Sequence, residues 1–555
     1  PDNLISYSDE RLLFDNFTLQ SGERSIAVTN VNRRVRATNL AFAFSNISIG
    51  DLHEQLRISG YQYSGNLSGT AQVLNVFHEP RISADVTIRD FTLNETQVAE
   101  VRAVVNYEPE EDKITIETNL EDTDYDVAIS GSVFPQRETD QLKLDLNLKK
   151  ANPALMQSLF FQGMISNTGG SAYGVLHLTG TFDKPNLTGN VMLASLTTTV
   201  DYLKVAYHCR NVPVIFRENN IDLGKFTLYD QNNDSASAQG IIHHKSLDFF
   251  DLNVSLTTRR FMALNTTSRD DSSFYGTAEV SGLIRFQGPV ENIDINATVK
   301  SLQGTNISIP VYSGTSIGER PYLRYVQHHA DTVEYAAKKP SSLAGMRMNF
   351  NMDITPEANV QIIFDEATGD IVKGNGSGTI RMDIDMKGEF TMYGVFTIEQ
   401  GSYLFTQFNF FNKNFVIENG GTITWTGDPY DAKINFSAIY STRASLYELV
   451  QNTALLTTND IKDLQQRTQV DLYLILTGSL FAPQISFDIK LPETSTLNTA
   501  AYLELNRIKR DENELNKQVF ALLVLGHFLP PETGLGTQSL STDVNNSLSS
   551  FLFNQ

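Results

Sequence analysis

Apolar and polar residues alternate with a period of two over most of this chain. Leu142-Lys-Leu-Asp-Leu-Asn-Leu148 alternates without error, and so do Ile380-Arg-Met-Asp-Ile-Asp-Met386 and Ile485-Ser-Phe-Asp-Ile-Lys-Leu491. Val470-Asp-Leu-Tyr-Leu-Ile-Leu476 keeps one strict apolar face, while Tyr473 and Ile475 blur the other. Successive side chains on a strand point to opposite faces, so these runs predict strands with one dry and one wet side. Strands of a buried parallel sheet would read as continuous apolar runs instead. Gly, Asn, Asp and Pro punctuate the runs, as at Glu108-Pro-Glu-Glu-Asp112. One phrase recurs: strand, Gly, short turn with Pro, strand. It stands at Leu176–Leu193 (LHLTGTFDKPNLTGNVML), Leu283–Lys300, Gly421–Tyr440 (with Trp425 before Gly427-Asp428-Pro429) and Leu474–Leu491 (LILTGSLFAPQISFDIKL).

At about 11 residues per strand and turn, the chain would hold on the order of 50 strands. At about 4.8 Å per strand they would stack into a sheet on the order of 200 Å long. An open sheet of that size must curl or split. The expectation is an all-β fold: a long half-pipe, curled with its apolar face inward, with a helical segment near the C-terminus. Three regions leave the pattern. Thr315–Ala344 is polar and reads as an irregular inserted segment. Leu446, Tyr447, Leu449 and Val450 could form a short helical turn. Leu497–Leu529 reads as helix, with Leu515, Val519 and Leu522 at helical spacing. Asp511 followed by Glu514 resembles an N-cap with its reciprocal acid, so two helices joined near Arg510 fit as well as one. The last apolar run, Ala521–Leu529, is too short to span a bilayer as a helix.

Composition narrows the function. Of 555 residues, 41% are hydrophobic and 19% charged, which is too apolar for a disordered chain. The formal net charge of −21 excludes a nucleic-acid binder and disfavours docking on an anionic membrane by charge alone. A single cysteine, Cys209, allows no internal disulfide and is expected to be a small core residue. N-x-[ST] triplets at Asn46, Asn66, Asn94, Asn186 and Asn296 follow from polar strand faces rich in Asn and Thr.

Catalytic chemistry has little to rest on. His243-His244 and His328-His329 are neighbours, and neighbours on a strand point apart, so neither pair suits a shared metal. Asp383 and Asp385 share a strand face, where solvated carboxylates are expected. There is no Gly-rich phosphate loop, nucleophile elbow or metal-ligand spacing. No enzyme activity, metal or cofactor is therefore expected. The apolar faces remain. They could be the core of sandwiches or barrels. They could also line an open groove for lipid, since an acyl chain would return the burial that an empty groove forgoes.

Five blocks carry a resemblance: Gly394-Val-Phe-Thr-Ile-Glu-Gln-Gly-Ser-Tyr403; Phe415-Val-Ile-Glu-Asn-Gly-Gly-Thr-Ile423; Trp425-Thr-Gly-Asp-Pro429 with Ile434, Phe436 and Ala438; Leu476-Thr-Gly-Ser-Leu-Phe-Ala-Pro483 with Ile485 and Phe487; and Gln518-Val-Phe-Ala-Leu-Leu-Val-Leu-Gly526. In order and spacing, the stretch from about Gly388 to Leu529 resembles the C-terminal domain of the TamB family, within the AsmA-like group. The cadence from Asn516 to Pro530 is most similar to Bacteroidetes members. The resemblance implies a periplasmic bridge anchored in the inner membrane by an N-terminal helix, which is not in this sequence. It also implies a long twisted β-groove, a TamA-type outer-membrane barrel partner, and a role in phospholipid movement or outer-membrane protein assembly. By that likeness the chain looks cut at both ends.

The expected divisions are a repetitive groove over 1–390, a TamB-like β-domain over 391–496, a helical segment over 497–529 and a tail over 530–555. Groove-lining residues are expected to be Leu142, Leu144, Leu146, Ile380, Met382, Ile384, Met386, Ile423, Trp425, Leu472, Leu474, Leu476, Ile485, Phe487 and Ile489, facing phospholipid acyl chains. Leu515, Val519, Leu522, Leu523 and Phe528 are expected on a helix that packs at, or plugs, the outer-membrane end. A helix capping a sheet edge fits those five residues equally well.

Overall fold

The structure is a computed structural model. It describes residues 4–8, 11–15, 17–31, 39–50, 62–94, 96–161, 163–270, 274–310, 345–365, 370–385, 389–407, 411–451, 456–480, 482–491 and 499–530. Met386, His328, His329 and the tail beyond residue 530 lie outside these residues.

Almost everything described is strand. A small hairpin, Leu4–Ser8 with Arg11–Asp15, forms its own two-stranded sheet beside one sheet of 28 strands, to which the Asn30 side chain ties it. Taken rung by rung, that sheet is a meander in which each rung pairs with the next along the chain. It begins at Phe17–Ser21, paired only with Arg24–Asn30, and ends at Pro483–Lys490, paired only with Arg467–Ser479. No pairing among the described residues joins the first strand to the last, so the sheet stays open. The strands are longer than the expected 11-residue repeat. Asp248–Thr266 and Glu389–Gln407 each run 19 residues. Some rungs consist of two collinear strands with a break between, as in Phe411–Ile417 and Gly421–Gly427 opposite Glu389–Gln407. About two dozen rungs at about 4.8 Å give a sheet on the order of 110 Å long, roughly half the expected length.

Long rungs bend where the register slips. The pairing of Asp248–Thr266 with Tyr275–Pro289 shifts at Thr258/Phe261 and again at Met262/Leu264. Each slip leaves an extra residue on one strand, which bends it and increases its twist. Glycine adds kinks. At Gly394, φ is +136° and a Cβ would sit 2.2 Å from the Thr379 carbonyl oxygen. Only glycine fits there, and such kinks curve a sheet. Gly69, Gly131, Gly189 and Gly282 repeat the arrangement on other rungs. The recurrent Gly-and-Pro phrase proves to be a hairpin: Gly180 pairs with Pro185 and Gly478 with Pro483, with φ of +92° and +90° at the glycines.

One junction is parallel. Asp294–Ser301 and Asn306–Pro310 form one rung, and Arg347–Ile354 and Asn359–Asp365 run alongside in the same direction. Pro310 and Arg347 therefore lie at opposite ends of neighbouring rungs. The polar segment Thr315–Ala344, read as an insert, lies between them in the sequence. It falls within residues 311–344, outside the described residues.

The helices are few. Ala154–Phe160 is short, and Tyr447–Val450 matches the helical turn expected there. Thr458–Leu464 adds one more, opened by a capping box at Thr457 and Asp460. The C-terminal segment is two helices, Thr499–Ile508 and Glu512–Val524. Asp511 caps the second by accepting from the Asn513 and Glu514 amides. The expected reciprocal bond from Glu514 gives way to another partner. Its carboxylate holds both ends of the Arg507 guanidinium, at 2.9 and 2.5 Å, and so ties the two helices together. A bidentate pair with Arg is a stronger bond than a second cap contact.

Replacing Gly394 with Ala is expected to cost about 1–3 kcal/mol. Gly169 has open space where its Cβ would be, and there the change is expected to stay within about 0.5 kcal/mol. Urea unfolding of both variants checks this. Equal losses would contradict the kink.

Candidate functional site

Residues opposite one another in a ladder share a face. Tracing partners across the sheet therefore shows what each face carries. One line runs Phe17–Val28–Phe42–Ala71–Ala84–Val105–Ile116–Gly131–Leu144–Leu178–Leu187. A neighbouring line continues it through Leu176–Gly189–Phe216–Ile221–Ile242. From Ala238 it passes Leu256–Ile284–Ala297–Phe350–Met382–Met392. The last rungs add Phe396–Ile423–Ile434, Phe436–Leu476–Ile485, Ala438–Leu474–Phe487 and Tyr440–Leu472–Ile489. Every position is apolar or glycine. Gly131 and Gly189 fall in these lines, and Gly69, Gly282 and Gly394 share their face two residues from Ala71, Ile284 and Met392, which places the kinks along the apolar side.

The apolar clusters overlap in the same order. Leu193 and Phe216 belong both to the cluster around Leu176 and to that around Cys209. Phe226 and Leu228 link the Cys209 cluster to the next, around Val205 and Leu256. Cys209 is buried there, and burial pushes its thiol up to about 11, as expected of an inert core cysteine.

Packing changes along the line. Leu142 is buried, but Leu144 and Leu146 are half-buried, as are Phe216, Phe226, Leu228, Val254, Ile284 and Phe286. Met382 and Ile384 are also half-buried, while Ile380 is buried. Beyond Phe396 the face becomes a closed core. Ile423, Leu472, Leu474, Leu476 and Ile489 are all 2% exposed or less, and Trp425 is 8% exposed on the same side as Ile423. Ile485 and Phe487 pack at the margin. The two terminal helices cover this end: Leu515, Val519, Leu522, Leu523 and Phe528 join the same cluster. Gln518 fixes the chain after the helix through two 2.9 Å bonds to the Leu529 backbone.

The fold thus brings the expected lining residues onto one face, Met386 excepted as undescribed. It separates them into a half-covered upstream part and a helix-covered end. The aromatic residues Phe216, Phe226 and Phe286 also lie on this face. Beside Phe216 and Phe226 the period of two is broken, at Asn211, where φ is +54°, and at the Asp222/Gly224 register shift. The opposite face is mainly polar, with exposed Val175, Ile215, Ile241 and Val395 scattered on it. Lys143, Asp145 and Asn147 are exposed, and His177 bonds Asp145 at 2.5 Å. His243 is exposed while its neighbour His244 is buried, as alternation requires. Asp383 is paired with Arg381 at 2.9 Å.

A known family matches this architecture: the TamB C-terminal domain, over residues 224–555. The chain belongs to the TamB family. The match begins well upstream of Gly388, so strands from Gly224 onward are part of what defines it. The family is a cell-envelope one that works with a TamA-type outer-membrane protein, and no catalytic family is indicated. Among the described residues no helix is long and apolar enough to cross a membrane. No curated protein matches the chain.

Leu474→Ala is expected to cost about 2–5 kcal/mol, because the cavity it leaves is enclosed. Leu146→Ala is expected to cost no more than about 1.5 kcal/mol, because that side chain is already half in water. Chemical denaturation measures both, and equal costs would contradict the gradient of burial.

Proposed function

We propose that this TamB-family chain is a periplasmic segment of a bridge between inner and outer membrane, and that phospholipid acyl chains travel along its apolar face. The observation that carries the reading is the unbroken apolar register from Phe17 to Ile489. A lipid leaving the bilayer for water exposes its acyl chain, at about 0.8 kcal/mol per methylene, or on the order of 13 kcal/mol for a 16-carbon chain. A continuous apolar path lowers most of that barrier. The same path gains by being filled, since half-exposed Leu and Phe side chains recover burial against an acyl chain. The exposed Lys, Asp and Asn of the other face keep the rod soluble. In this reading Leu142, Leu144, Leu146, Ile380, Met382 and Ile384 line the path. The helices over Leu472, Leu474 and Ile489 close it at the end that meets the TamA-type barrel. No catalytic step is involved.

A second reading is supported by the last strand. Pro483–Lys490 has a partner on one side only among the described residues. An open edge of this kind can pair with a strand of a client barrel protein, as an assembly factor would require.

A photo-crosslinking residue placed at Leu146 is expected to capture phospholipid in cells, and one at the outward-facing Asn147 is not. Equal lipid capture at the two positions would sink the lipid reading. Protein adducts confined to Pro483–Lys490 would favour the second.

A further inference from the structure

We propose that Asp230, Asp234 and Glu279 form a binding site for a divalent cation, Ca²⁺ by preference, which ties the Asp230–Asp234 loop to a strand two rungs along the sheet. The three carboxylates each place an oxygen within 4.8 Å of the others. Asp230 ends the Asn220–Tyr229 strand, Asp234 precedes the Ser235–Lys245 strand, and Glu279 sits on Tyr275–Pro289. Asp230 is fully buried. Its Oδ1 accepts from the Asn232 and Asp234 amides at 2.9 and 3.0 Å, and its Oδ2 from the Met262 amide at 2.7 Å. That fixes the loop, which is a tight turn with Asn233 at φ +65°.

Glu279 is the observation that points to a ligand. It is 4% exposed, and its Oε1 accepts from the Asn232 amide nitrogen at 3.1 Å. Its Oε2 is buried without a hydrogen-bond donor. The nearest cation is Arg260, whose Nε lies 3.7 Å from that oxygen and 3.3 Å from Asp234. One guanidinium thus faces three carboxylates, two of them buried. Buried charge without full pairing is costly, and a divalent ion at the centre of the cluster would balance it.

The chemistry of the donors selects the ion. All are hard oxygens, which suit Ca²⁺ or Mg²⁺ rather than a thiophilic or imidazole-seeking metal. The loop reads Asp230-Gln-Asn-Asn-Asp234, the D-x-N-x-D spacing that opens many calcium loops. An anchored first Asp, a central Asn and a second Asp can all turn oxygens inward, and the Asn232 amide needs only to flip. The downstream acid of a continuous loop is supplied here by Glu279 from another rung. Flexible, mixed geometry of this kind favours Ca²⁺ over Mg²⁺, which demands a near-ideal octahedron.

Calorimetric titration of the chelator-treated 555-residue chain with CaCl2 tests the site. One saturable site is expected, with Kd on the order of 10⁻⁴–10⁻³ M, together with a rise in Tm. Glu279→Gln and Asp234→Asn are each expected to weaken binding at least tenfold, and Arg260→Gln to strengthen it. Without cation, Glu279→Gln should melt no lower than the parent, since it removes a poorly paired charge. Lost binding in that variant then reflects the site and not the fold. Absence of saturable binding up to about 10 mM, well above that range, would overturn the proposal. So would parent-like affinity in both carboxylate variants.

Discussion

In a ladder, opposite residues point to the same side, and a slip of one residue sends every later side chain to the other side. This sheet meets that constraint at each junction from Phe17 to Ile489. It does so across a parallel junction and across register shifts such as Asn375/Gly376 and Ser171/Ala172. The shifts are placed so that apolar side chains resume the same face beyond them: Leu193 pairs with Val212, and past the bulge Leu196 pairs with Cys209. Length, curvature and function all depend on this rule. A sheet whose faces mixed would have no dry side to curl around and no path to offer.

The apolar face has two regimes. Upstream it is chained into small clusters of partly covered Leu, Val and Phe. Downstream it closes under two helices into one large core. The closure is firm because polar contacts lock the helices as well as apolar ones. Arg507 bridges Glu504 and Glu514, whose carboxylates raise its already high affinity for a proton. Lys509 reaches Asp488 on the last strand at 2.6 Å. The helix-covered end is thus the best-packed part of the apolar face, and the upstream part stays only half covered.

Much of this was legible in the chain. The period of two at Leu142–Leu148 and Val470–Leu476 identified strands and the residues that share their apolar face, and the Gly-and-Pro phrase marked real hairpins. Asp511 as a cap left two helices joined near Arg510 as good a fit as one, and two are found. What escaped had physical causes. Strand length was underestimated because bulges and single glycines look like turns in a sequence, yet a strand such as Asp248–Thr266 passes through two register shifts without ending. The parallel junction was hidden because it pairs strands that a long polar segment separates in the sequence, which no local pattern records. Glu279 met Asp230 and Asp234 only through the stacking of rungs. The Glu514 contact went to Arg507 because two helices meet there, a tertiary fact. The helix-covered end could not be told from an open groove, since the same apolar strand face serves both.

Small-angle X-ray scattering on the purified chain tests the central claim, a single open sheet stacked along one axis. The account predicts a maximum dimension of at least about 110 Å. It also predicts a radius of gyration well above the roughly 24 Å of a compact chain of this size. A compact particle near that smaller radius, with a maximum dimension far below the sheet length, would contradict it.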